Sequence, residues 1–231
     1  MDLSPVNLAA LVIATSFTAG LNVYLTVLAL GLLSRFGWIA LPAGLDSIAH
    51  AWIIAICAVL FTIEFVADKV PGLDFAWNLL HTFVRIPIAA LLAYHATAQL
   101  SPAMQFLATA MGGLIAFAAH SSKTAARGAI LLSPEPVSNI VLSGSEDLVV
   151  LGISWFAGHH PVMAATMALL LLIGIALAAH TLARVLRKAW NKAGARTSRT
   201  TTLPLMTNSP HAPSTNDSDG AASRPARPVQ S

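Results

Sequence analysis

Residues 162–186 read VMAATMALLLLIGIALAAHTLARVL, a run that no acidic residue interrupts. Roughly 20 helical residues cross the ~30 Å hydrocarbon core of a bilayer, so this stretch is long enough to be a membrane span. In lipid its backbone groups must be satisfied within the segment, which selects a helix. Five further apolar segments read the same way, over 6–33, 48–67, 76–97, 103–120 and 139–158. Pro42 and Gly44, Pro71 and Gly72, Pro102, Pro134 and Pro136, then Gly158 and Pro161 punctuate the joints between them. The predicted fold class is therefore all-α, a polytopic bundle of about six transmembrane helices.

Composition agrees with that reading. The chain is 56% hydrophobic and only 10% charged, against about a quarter charged in an ordinary soluble domain. The net charge of +3 does not signal nucleic acid, because six of the thirteen Lys and Arg residues lie between Arg184 and Arg199. Such clustering is a topology signal, since cytoplasmic loops are enriched in basic residues. Placing that end in the cytoplasm also puts Lys69, Lys123 and Arg127 inside and leaves Arg35 outside, so both termini are expected to be cytoplasmic. All five tryptophans fall near predicted span ends, where amphipathic rings favour the headgroup region. The N-terminal run has no basic residue before it and continues to Leu33, so it reads as a first membrane helix rather than a cleaved signal.

The chain divides into a transmembrane domain over 1–190 and a tail over 191–231 rich in Ser, Thr and Pro, which is expected to be a disordered cytoplasmic segment. Three spans precede residues 99–102 and three follow, so an inverted three-plus-three repeat is a further expectation. The lone Cys57 sits in an apolar run and reads as a small buried hydrophobe.

Against this apolar background the charged residues stand out. In IEFVADKVPGLD, residues 63–74, Glu64 and Asp68 are four apart and share a helix face. His81 and Arg85 repeat that spacing in the next span, and His120, Lys123 and Arg127 form a basic stripe in HSSKTAAR. Glu146 and Asp147 lie inside the fifth span, and Asn22 and Tyr24 near the middle of the first. The predicted topology brings all of these to one half of the bundle. A charge near a helix centre costs about 2.5–3.5 kcal/mol on insertion scales, so pairing is expected, with Glu64 or Asp147 as the partner of Arg85. Intramembrane ionisable residues also commonly mark ligand and ion pathways. The candidate site is therefore Asn22, Glu64, Asp68, His81, Arg85, His120, Lys123, Arg127, Glu146 and Asp147.

No HExxH, GxxxxGK, GxGxxG or GxSxG motif is present, so neither a metal nor a cofactor is expected. The stretches TAGLNVYLTVLALGLLSRFG, IEFVADKVPGLD with HTFVRIP, and HSSKTAARGAILLSPEPVSNIVLSGSED resemble a bacterial membrane family, domain-of-unknown-function family 4126. The resemblance implies a bacterial inner-membrane protein and supplies no activity. From the residues, the leading expectation is a small transporter or channel-like protein that takes an anion or lipid headgroup at its basic stripe. Membrane lipids and a second copy of the chain are the expected partners. A membrane enzyme acting on a lipid phosphate and a structural or assembly protein are the alternatives.

Overall fold

The computed structural model describes residues 4–70, 73–130 and 136–200. Among these residues there are seven α-helices, one 3-10 segment and no strand. The first helix, α1, spans Pro5–Leu21. Pro5 supplies a preset φ at a position where its missing N–H is not needed, and the Ser4 hydroxyl accepts from the Asn7 N–H at 3.3 Å.

At Asn22 the expected first span breaks. The Asn22 backbone is extended, with φ −151° and ψ 99°, and a second helix, α2, begins at Val23 and runs to Arg35. Asn22 serves both ends of the break. Its N–H reaches the Thr18 carbonyl at 2.8 Å, and its side-chain oxygen accepts from the Leu25 N–H at 3.0 Å as the N-cap of α2. Asparagine is among the best N-cap residues, which explains why an apolar run of this length does not continue as one helix. At the far end of α2, Gly37 adopts φ +70°, the left-handed conformation that ends helices and favours glycine.

A 3-10 segment over Ala43–Ala49 leads into α3 (Ala51–Ala67), followed by α4 (Leu73–Ala96), α5 (Pro102–Ile130), α6 (Pro136–His159) and α7 (Pro161–Thr200). Leu79–Ala96, Pro102–Ala126, Ile140–His159 and Pro161–Val185 are each long and apolar enough to cross a membrane. The 3-10 segment and α3, bent by 64° at their joint, make a fifth span when taken together. Among the described residues the count expected as six thus stands at four, or five with the bent pair. The reason is the break: at 17 and 13 residues, α1 and α2 extend only about 25 Å and 20 Å. The described helices give the three-plus-three repeat no support, since α1 and α2 are broken where α5 is continuous. Glu146 and Asp147 do not interrupt α6.

Helix α1 lies at the centre, packed on α2, α4, α5 and α6 and buried along most of its length. Small residues let the helices approach closely, as is usual where lipid supplies no hydrophobic drive between helices. A Cβ on Gly20 would lie 2.5 Å from the Ala116 carbonyl oxygen, and one on Gly112 would lie 2.6 Å from the Ala93 Cβ. The outer faces carry Phe83, Phe106, Phe117, Leu148 and Leu170 in exposed positions. In water such a surface would be an aggregation liability, whereas in a bilayer it matches its solvent. Length, composition and this inverted surface make the chain a multi-pass membrane protein.

The bundle occupies a compact unit that ends at Arg187. Helix α7 continues past Trp190 to Thr200. The remainder of the expected tail, from residue 201, lies outside the described residues.

Candidate functional site

The charged residues that the sequence scatters over four helices meet inside the bundle. The centre is Lys123, whose side chain is 1% exposed. Its ammonium donates to the Leu21 carbonyl at 2.9 Å, and it lies 3.2 Å from Glu146 Oε2, 3.4 Å from Asp68 Oδ2 and 3.7 Å from Glu64 Oε1. One cation therefore faces three carboxyl groups and the last carbonyls of α1, the negative end of that helix's dipole.

Arg85 and Glu64 form an ion pair with both side chains fully buried. Of the two partners the sequence allows for Arg85, the geometry selects Glu64. The other arm of the guanidinium lies 3.1 Å from His120 Nδ1. A guanidinium can only donate, so Nδ1 accepts and the ring proton sits on Nε2, which donates to Thr82 Oγ1 at 2.7 Å. Glu64, Arg85, His120 and Thr82 thus form a chain running from α3 through α4 to α5 and back.

Asp147 is held elsewhere. It accepts from Asn22 Nδ2 at 3.1 Å, which ties α6 to the break between α1 and α2. His81 sits beside the cluster, its Nδ1–H donating to the Trp77 carbonyl at 2.8 Å and its Nε2 accepting from the Tyr24 hydroxyl at 3.1 Å. Arg127 falls in α5, but its side chain lies outside the described residues. Lys69 turns its ammonium back to the Phe65 carbonyl at 3.1 Å, at the end of α3.

The side chains of nine of the ten predicted site residues are therefore described, and of these eight are buried while Glu146 is partly exposed. The sequence reading missed the Leu21 carbonyl and Thr82. A backbone carbonyl carries no sequence signal of its own. Thr82 had one, since it lies beside His81 and three residues before Arg85 on one helix face. Among the described residues, no three His, Cys, Asp or Glu side chains converge in a way that would hold a metal ion.

Residues 9–181, which contain every one of these groups, match the family model described as Domain of unknown function (DUF4126). The chain belongs to the DUF4126 family. No curated protein and no solved structure matches it. For this DUF4126 domain the site's chemistry therefore has to come from its own geometry.

Among the described side chains, Glu64, Asp68, Glu146 and Asp147 stand against Arg85, Lys123 and Lys69, the last within electrostatic reach of Asp68 and Asp147. Arg85 and Lys123 are both engaged by carboxyl groups. Asn22 is the hinge of the arrangement. Asn22→Ala removes the α2 cap and the bond to Asp147, and is expected to lower stability by about 1–2 kcal/mol in chemical unfolding of the detergent-solubilised protein. Asn22→Asp keeps an equally good cap but sets a second carboxyl group against Asp147. It should be less stable than Asn22→Ala at neutral pH. If it matches the wild type instead, the two carboxyl groups share a proton.

Proposed function

We propose that this protein is a small transporter or channel-like membrane protein, and that the buried cluster is its coupling site. The observation that carries this reading is the helix break at Asn22, buried in the bundle and flanked by charge at both ends. Lys123 binds the carbonyl end of α1, and Asp147 is tied to the first turn of α2 through Asn22. Discontinuous helices whose ends face a polar site deep in a bundle are a recurrent device for holding ions and substrates in transporters. Among the described side chains, four carboxyl groups face Arg85, Lys123 and Lys69, and this balance supports a proton or cation over the anion expected from the basic stripe.

Charge movement on a solid-supported membrane tests the reading. Vesicles carrying wild-type protein are challenged in turn with a pH jump, sodium, potassium and a small organic ammonium. At least one challenge should evoke a current that protein-free vesicles lack and that Glu146→Gln reduces. Silence to every challenge from folded, reconstituted protein would remove the proposal.

A structural role is the second reading, favoured by one specific observation. The Arg85 and Glu64 pair is wholly buried and links α3 to α4 with no exposed surface on either side chain. Charges that only bind one another would serve assembly rather than transport.

A further inference from the structure

The four carboxyl groups of this region are not held alike. Glu64 pairs with Arg85 and lies 3.7 Å from Lys123, while Asp68 lies 3.4 Å and Glu146 3.2 Å from the same ammonium. No cation among the described residues comes within ion-pair distance of Asp147. Its hydrogen bond is to a neutral group, the Asn22 amide at 3.1 Å. The orientation of that amide is fixed, because its oxygen already accepts from the Leu25 N–H at 3.0 Å and only its NH2 side can meet the carboxyl group. Asp147 is also 9% exposed, against 0% for Glu64 and 2% for Asp68. One turn away on the same face of α6, the Ser143 hydroxyl is buried and has no hydrogen-bond partner.

We infer that Asp147 is the proton-binding group of this region, its Oδ2 taking up the proton while Oδ1 goes on accepting from Asn22. This deepens the proposed function by naming the proton as the ion of the same site, and it rests on reading the cluster as a coupling site.

Three physical points support it. First, a proton on Glu64, Asp68 or Glu146 would take a counter-charge from a buried cation, whereas one on Asp147 breaks no ion pair. Second, the bond from Asn22 survives in both states, since a neutral carboxyl group keeps a carbonyl oxygen that accepts. Proton uptake then changes the charge without releasing the break between α1 and α2. Third, a bare metal cation would need several oxygen ligands in place of its water. The Asn22 oxygen is taken by Leu25, and among the described residues no three carboxyl, imidazole or thiol side chains converge to hold one. The helices packed on α6 bring few titratable groups to Asp147. Helix α1 carries none, α2 carries Tyr24 and, at its far end, Arg35, and the described side chains of α5 include His120 and Lys123. Lys123 and, from α3, Lys69 favour the ionised carboxyl group, whereas Glu64 and Asp68 of α3 favour the protonated one. Opposed neighbours of this kind let a proton leave as well as arrive.

The test is infrared difference spectroscopy of the reconstituted full chain, reading the carbonyl stretch of protonated carboxyl groups as the pH is stepped from about 8 to about 5, above the ordinary aspartate value of about 3.9. The wild type should gain a band that moves when aspartate is labelled with carbon-13 at its side-chain carboxyl, which assigns it to an aspartate without any substitution. Asp147→Asn, which keeps an oxygen to accept from Asn22, should lose the band, and Asn22→Ala should shift it by removing the bond to Oδ1. A wild type with no band in that range would overturn the inference. So would a band that the label leaves in place or that Asp147→Asn retains. Suppression of the band by sodium at fixed pH would overturn it too, because the site then takes a metal cation. Should Asp147→Asn fail to fold, the label and the Asn22→Ala shift decide. Currents evoked by a pH jump without the band would defeat this inference alone, and the band without currents would defeat only the transport reading.

Discussion

Glu64→Ala is expected to destabilise the folded protein by about 3–5 kcal/mol, because it leaves the fully buried Arg85 guanidinium without its carboxylate. His120 would remain as a neighbour of Arg85, but a neutral imidazole cannot balance the charge. Lys123 would lose one of its three carboxyl groups as well. Equilibrium unfolding in mixed micelles reads the effect directly, and a loss under about 1 kcal/mol would show that the pair contributes little. The double variant Glu64→Leu with Arg85→Met should recover most of the stability, since apolar side chains of similar size often replace a buried ion pair without loss. That variant also separates the two functional readings. A stable double variant with no charge movement means the charges serve ions or ligand. A stable one that keeps the wild-type currents means the pair serves assembly only.

The second large effect is steric. Gly20→Leu is expected to cost about 3 kcal/mol or more, because even its first carbon would press within 2.5 Å of the Ala116 carbonyl oxygen and 2.9 Å of the Ala119 Cβ. Neither atom can rotate away, so α1 must lift from α5 and carry the Leu21 carbonyl away from Lys123. Gly174→Ala is the matched control, since nothing lies within 4 Å of its added carbon. It should be neutral or stabilising by up to about 1 kcal/mol, through better helix propensity. Equal losses from the two changes would mean the close approach of α1 and α5 is not what holds the bundle.

Much of this arrangement was legible in the sequence. Charges are so costly in lipid that Glu64, Arg85, Lys123 and Asp147 inside apolar helices had to be gathered somewhere, and helical spacing put Glu64 with Asp68 on one face. What spacing did not decide was the pairing. Glu64 and Asp147 were both chemically acceptable to Arg85, and only the packing of α3 against α4 selected the first. The break at Asn22 was misread because hydropathy counts an asparagine as one poor residue in a long apolar window. Its capping ability becomes decisive only when a cation waits for the freed carbonyl and an acid for the side-chain amide.

The break at Asn22 also sets an order of events during biogenesis. In the nascent chain, residues 6–33 form one uninterrupted apolar stretch, long enough to enter the bilayer as a single helix. The groups that make the break tolerable come much later, since Lys123 is 102 residues downstream of Leu21 and Asp147 is 125 residues downstream of Asn22. Before α5 and α6 have been synthesised, a broken helix would expose unsatisfied backbone to lipid. The broken form of the first segment thus gains its long-range partners only after most of the protein has left the ribosome.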